Sequence, residues 1–228
     1  MALDIKTFRT RSLTAIIFTI IMLAGLLINL WGFLILMLII HFGCWLEFID
    51  LMKKIHHQRY LYYIVFGVIY ISMPILLIGD LRMTHIPGTE PTDNMLKVIP
   101  CGIIFSIWIN DTMAYLVGSF IGKHPLSPIS PKKTWEGTIG GGILCILIIT
   151  TIGYFTHLYN IYAWVSISTL SAFFGTLGDL LESKLKRMAG VKDSGTLMPG
   201  HGGFLDRFDS FLVAIPFVWL YIQFFLKP

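Results

Sequence analysis

The strongest constraint in this sequence is a series of apolar runs, each about as long as a bilayer is thick. A hydrocarbon core is crossed by ~20 predominantly apolar residues in a helix. Seven stretches have that character: Leu13–Leu30, Trp31–Leu51, Tyr60–Gly79, Leu96–Phe120, Thr138–Phe155, Ile161–Leu181 and Phe208–Leu226. Hydrophobic residues make up 55% of the 228 and charged residues only 13%, against roughly 25% charged in soluble domains. Lipid offers no partners to a peptide group, so such segments must satisfy their own backbone as helices. The expectation is an all-α, polytopic integral membrane bundle of about seven transmembrane helices. It forms a single membrane-embedded domain over residues 1–228, with a tight turn near Asn29 to Gly32 joining the first two spans. The basic, then apolar N-terminus resembles a signal peptide, but its apolar run is too long and no A-x-A site follows, so it reads as a retained span.

Lysine and arginine gather on alternate connections. With the N-terminus inside, 14 of the 17 basic residues fall on one side: Lys6, Arg9, Arg11, Lys53, Lys54, Arg59, Lys123, Lys132, Lys133, Lys184, Lys186, Arg187, Lys192 and Arg207. Only Arg82, Lys97 and Lys227 fall on the other. The positive-inside rule then puts the N-terminus in the cytoplasm. The loops Lys123–Gly137 and Glu182–Leu205 share that side, and Asp80–Met95 reads as an ordinary solvated connector outside. Cys44, Cys101 and Cys145 are isolated in apolar surroundings, which argues against a zinc site or disulfide framework. No basic stripe with interleaved aromatics suggests nucleic acid.

Several polar residues lie where an apolar span should be. Asn110 and Asp111 sit about ten residues, or roughly 15 Å, from the cytoplasmic end of the fourth span. Ionisable groups at such depth are costly and mark functional sites. At the end of the sixth span, Asp179, Glu182, Ser183 and Lys186 fall on one helical stripe. The seventh span opens with Asp206 and Asp209 three residues apart, a pair that could cap the helix or supply oxygen ligands to a hard cation such as Mg²⁺. Before it, KDSGTLMPGHGG brings Lys192, Asp193, His201 and four glycines, among them Gly202 and Gly203, into one loop. Glycine amides beside cations suit an anion. The other cytoplasmic loop, GKHPLSPISPKKTWEGT, carries Lys123, Lys132 and Lys133 between three prolines. Carboxylates, cations and a glycine-rich loop at one membrane face suit phosphoryl or nucleotidyl transfer.

At these residues the chain resembles the phosphatidate cytidylyltransferases, or CDP-diacylglycerol synthases. SKLKRMAGVKDSGTLMPGHGGFLDRFD, Ser183 to Asp209, follows that family's signature without a break, and INDTMAYLVGSFIGKHPLSPISPKKTWEG, Ile109 to Gly137, is similar to its upstream cassette. The resemblance implies transfer of a cytidylyl group from CTP to phosphatidic acid, giving CDP-diacylglycerol and pyrophosphate, with Mg²⁺ and room for a second, monovalent cation. Asp179, Asp206 and Asp209 would then hold the metal, with Asp193 and Asp111 as helpers. Lys186, Arg187, Lys192, Lys132 and Lys133 would neutralise phosphates. His201 would serve as a hydrogen-bonding, phosphate-contacting or proton-shuttling group. From the two cassettes Asn110, Lys123, Ser130, Thr134, Glu136, Ser183, Gly202, Gly203 and Arg207 are implied at the substrates. The implied partners are CTP, phosphatidic acid and the bilayer, with a homodimer left open, and the implied location is a bacterial inner membrane with the site facing the cytoplasm.

Three rivals share parts of this pattern. A CTP-dependent lipid or polyprenol kinase would use the same nucleotide site. An ion-coupled transporter would spread its polar residues through both halves of the membrane. A CDP-alcohol phosphotransferase begins its pattern with Asp-Gly, a dipeptide this sequence lacks.

Overall fold

A computed structural model describes residues 5–83, 92–195 and 202–226, with side chains from residue 12 onward. All seven expected segments are helical. The elements are α1 (Ile5–Leu27), α2 (Leu30–His56), α3 (Tyr60–Ile64), α4 (Met73–Met83), α5 (Asp93–Ile121), β1 (Pro125–Ser127), β2 (Ser130–Thr134), α6 (Trp135–Thr156), α7 (Ile161–Met188) and α8 (Leu205–Tyr221). Among the described residues, five stretches are long and apolar enough to cross a membrane: Leu30–Ile64, Asp93–Ile121, Trp135–Thr156, Ile161–Met188 and Leu205–Leu226. A shorter apolar helix covers Ser12–Leu27. Many large apolar side chains on these helices are exposed, among them Ile35, Phe42, Leu46, Phe120 and Phe173. In an integral membrane protein that surface meets acyl chains, so it carries no penalty.

The expected third span, Tyr60–Gly79, departs from a single helix. It is helical over Tyr60–Ile64, passes into a π segment at Val68–Ser72 and resumes as α4. Pro74 is the physical reason: it offers no N–H and its ring crowds the carbonyl four residues back. The Met73 amide accordingly bonds the Val68 carbonyl, five residues back.

By its contacts the chain divides into two compact units, Met1–Ile75 with Leu185–Phe208 and Leu76–Lys184 with Asp209–Pro228. In the first, Asn29 ends the tight turn as expected: its side chain accepts the Gly32 amide at 2.8 Å and starts α2. The buried positions Phe33, Leu36, Met37, Ile40, Cys44, Phe48 and Leu51 recur at helical spacing along one face of α2. Ser72 of the π segment is tied to that helix by Trp45 Nε1 at 3.0 Å and His41 Nε2 at 2.9 Å. The end of α7 belongs to this unit and closes as a Schellman motif. Gly190 takes φ 68°, the Val191 amide donates to Lys186 O at 3.0 Å and the Gly190 amide to Arg187 O at 3.1 Å.

In the second unit small residues bring helices into near contact. A Cβ added at Gly137 would stand 2.7 Å from Ala114 O, and one at Gly141 2.5 Å from Ala114 N. Gly137 and Gly141 on α6 thus face Ala114 and Gly118 on α5, four-residue spacings of small residues on both helices. Likewise a Cβ at Gly178 of α7 would stand 2.5 Å from Asp209 O of α8. Trp164 fills the space beside Gly102 and Gly153.

The segment Asp80–Met95 differs from the expected solvated connector. Residues 84–91 lie outside the described residues, but both flanks are helical. Asp80 accepts hydrogen bonds from Trp219 Nε1 at 2.7 Å and Gln223 Nε2 at 3.0 Å. Arg82 is buried and paired with Asp93, which also takes Lys97 at 2.5 Å. These charges are internal ties of the unit, because a cation within an apolar layer must meet an opposite charge.

The α5–α6 crossing gives a stability prediction. Gly141→Ala forces the helices apart and costs about 1–3 kcal/mol. Gly142→Ala meets nothing nearer than Asn110 Oδ1 at 4.0 Å and is neutral or slightly stabilising, since alanine is the better helix former. Thermal unfolding in detergent checks this: only Gly141→Ala melts lower, and equal melting temperatures would refute the close crossing.

Candidate active site

The upstream cassette forms a short hairpin between α5 and α6. β1 and β2 pair antiparallel, with Pro125 opposite Thr134 and Ser127 opposite Ser130. Glu136, in the first turn of α6, holds the entry to the hairpin. Its Oε2 accepts the Lys123 amide at 3.1 Å and the His124 amide at 3.2 Å, and its Oε1 meets His124 Nδ1 at 2.5 Å. Thr134 caps α6 by accepting the Gly137 amide at 3.1 Å. These contacts make Glu136 and Thr134 builders of the loop. Ser130 is half-buried in β2, while Lys123 and Lys132 are exposed.

Lys133, at the end of β2, reaches Asp179 on α7 and forms an ion pair with its Oδ2. Asp179 Oδ1 accepts the Ser183 hydroxyl at 3.2 Å, one turn later on the same helix. On α8, Asp209 is buried, and its Oδ1 accepts the Ser210 amide at 2.6 Å. The charges that act on Asp209 are the carboxylates of Asp179 and Asp111 and the ammonium of Lys133. Asp111 follows the buried Asn110 on α5 and is itself exposed. Three spans and the hairpin therefore bring Asp111, Asp179, Asp209 and Lys133 within electrostatic range of one another in the second unit, with Lys133 and Asp179 in direct contact. Beside it lies a largely apolar cavity of about 610 Å³, lined by Leu126, Trp135, Ile139, Ile143, Phe173 and Leu177, with Asn110 in its wall.

The downstream cassette is organised in the first unit around Asp206. Its Oδ1 accepts Lys186 Nζ at 2.5 Å. Its Oδ2 accepts the amides of Ser194 at 2.9 Å and Gly203 at 2.8 Å. Gly202 has φ 82°, and a Cβ there would stand 2.6 Å from Asp206 Oδ2, so a side chain is excluded by conformation and by space. Arg187, Lys192, Asp193 and Arg207 are exposed, and Arg187 Nη1 donates back to Val191 O at 3.3 Å. His201 and Gly200 lie outside the described residues.

One residue of this cluster escaped the sequence reading. Glu47, in the C-terminal half of α2, accepts Ser194 Oγ at 2.6 Å, the Phe204 amide at 2.9 Å and the Leu205 amide at 2.9 Å. Cβ atoms added at Gly195 and Gly203 would stand 2.2 and 2.1 Å from its carboxylate oxygens. Two glycines of the loop are therefore explained by the approach of a protein carboxylate. The available signal was a glutamate inside an apolar run, GCWLEFI, the same signal that drew attention to Asp111.

The residues can be tested against a magnesium ion. Among the described residues no three histidine, cysteine, aspartate or glutamate side chains stand close enough to hold an ion by themselves. Mg²⁺ is ordinarily held by one or two carboxylates, with waters and substrate phosphates completing its oxygen shell. Asp179 and Asp209, oxygen donors on helices that meet closely at Gly178, fit that share. Asp206, expected as a third ligand, already receives one ammonium and two amides.

The profile of the cytidylyltransferase family matches residues 59–225. Proteins named phosphatidate cytidylyltransferase are similar over a shorter stretch. That of Staphylococcus haemolyticus (strain JCSC1435) is 50% identical over 113 residues. Those of Staphylococcus aureus (strain COL) and Staphylococcus epidermidis (strain ATCC 35984) are 49% identical over 113 and 112 residues. Each alignment covers 48% of this chain and 43% of the relative's length. The family profile, in contrast, takes in both cassettes and every described helix from α3 to α8, and the chain belongs to the cytidylyltransferase family.

Proposed function

We propose that this chain transfers a cytidylyl group from CTP to phosphatidic acid, releasing pyrophosphate, at the cytoplasmic face of a bacterial inner membrane. The observation that carries the reading is the Lys133–Asp179 ion pair beside Asp209, where Gly178 lets α7 meet the α8 main chain. Similarity to staphylococcal proteins of that name supports the substrate pair. The excess of lysine and arginine on one side supports the cytoplasmic orientation.

In this reading Asp179 and Asp209 hold Mg²⁺. The ion supplies charge neutralisation on the triphosphate. An ionised phosphate oxygen of the lipid attacks the α-phosphorus of CTP; that P–O bond forms as the bond to the β-phosphate breaks, and pyrophosphate leaves. The lipid phosphate is already ionised near neutral pH, so no strong general base is needed. Lys133 holds Asp179 until substrate arrives, then turns its ammonium to a phosphate oxygen. Lys132, exposed on the same strand, adds a second cation. The apolar cavity beside Asn110 takes an acyl chain, which leaves the headgroup at the polar cluster. Asp206 keeps Lys186 and the Ser194 and Gly203 amides in place.

The reading is tested with purified protein, phosphatidate, Mg²⁺ and α-labelled CTP. Label is expected in the lipid fraction; label left in soluble CDP would establish a kinase. Asp209→Asn is expected to lower kcat about 100-fold or more, and a folded variant of near-full activity would refute its place at the metal.

Lys133→Met removes a charge-assisted contact of about 1.5–3 kcal/mol. It is expected to raise KM for CTP by about tenfold or more, with a smaller change in kcat. Unchanged CTP kinetics would remove Lys133 from the nucleotide.

A further inference from the structure

The first unit contains an acidic group that the reaction above does not use. Glu47 projects from a helix of the membrane bundle, and its two oxygens accept three hydrogen bonds, one from a hydroxyl and two from main-chain amides. The amides of Phe204 and Leu205 stand at the start of α8, where N–H groups lack partners within the helix. The positive end of the α8 dipole favours a carboxylate there. Charge-assisted bonds of this kind are roughly twice as strong as neutral ones.

The contacts continue beyond Glu47. Ser194, whose hydroxyl is given to Glu47, gives its amide to Asp206 Oδ2 at 2.9 Å, and its Oγ lies 3.3 Å from the Asp206 amide. Asp206 holds Lys186 at 2.5 Å. A hydrogen-bonded chain thus runs from Glu47 through Ser194 and Asp206 to Lys186. Gly195 and Gly203 lack the side chains that would collide with the Glu47 carboxylate. Glu47 also precedes the stretch matched by the family profile, which begins at residue 59.

We propose that Glu47 is a positioning residue for cytidylyl transfer. Its carboxylate fixes the start of α8 and the Ser194 turn, and through them the Asp206–Lys186 pair. The catalytic part of this inference rests on the function proposed above; the structural part does not.

Glu47→Gln keeps the shape but turns an amide NH₂ toward at least one of the three donors. In the full chain it is expected to leave the melting temperature within about 2 °C and KM for CTP within about threefold. It is expected to lower kcat about 10- to 100-fold, the scale of a small misplacement of reacting groups. Hydrogen exchange of the 203–206 amides should speed up about tenfold or more, with α5 and α6 unchanged. Ser194→Ala, which removes one donor and leaves Glu47 charged, should loosen the same amides to a smaller degree, and it decides the question if Glu47→Gln does not fold. Unchanged exchange at 203–206, or faster exchange spread evenly over all helices, overturns the proposal. Normal kcat with locally faster exchange overturns its catalytic part. If the wild-type chain has no activity with CTP and phosphatidate, the function proposed above fails, and the exchange data alone decide whether Glu47 fixes the turn.

Discussion

An ionised carboxylate within an apolar bundle must be met by donors or cations, and most of the polar architecture of this protein follows from that requirement. Asp179 has Lys133 and the Ser183 hydroxyl. Asp206 has Lys186 and two amides. Glu47 has a hydroxyl and two amides, Asp80 an indole and an amide side chain, and Asp93 two cations. An uncompensated charge at the bilayer centre costs at least about 2.5–3.5 kcal/mol. Each pairing therefore fixes which helix turns must lie side by side.

Compensation at this range requires backbones to come close, and the small residues provide for that. Gly178 lets α7 lie against the Asp209 main chain, and Gly137 and Gly141 do the same for α6 against α5. Because lipid tails are as apolar as leucine, burial gives these helices little reason to associate. Close packing along glycine and alanine stripes, with polar ties between them, takes its place. The same crossings carry Asp111, Asp179 and Asp209 within electrostatic range of one another, so what packs the second unit also assembles its candidate chemistry.

The pairing has a functional side. Lys133 and Lys186 each pair with a carboxylate. In the proposed reaction a polyanion would offer the lysine a new partner and bring its own counter-ion to the carboxylate, so the apolar surroundings would not hold a bare charge. The glycine-rich loop has a related logic. Among its described glycines, Gly195, Gly202 and Gly203 are packed against Glu47 or Asp206.

Much of this was legible in the sequence, because the medium leaves few options. Apolar runs of bilayer length had to be helices; the turn near Asn29 had to join the first two; Asp111 and Asp179 stood out inside apolar spans, and Asp206 with Asp209 as a pair at a helix start. The partners of those residues were not legible. That Lys133 meets Asp179 and that Glu47 lies against residues 194–205 depend on how helices far apart in the chain pack. Residue type and spacing fix what one helix presents along its own faces, through a local period of 3.6 residues. Which face meets which is decided by contacts more than a hundred residues apart in sequence, as between Glu47 and Leu205, and no local pattern encodes those.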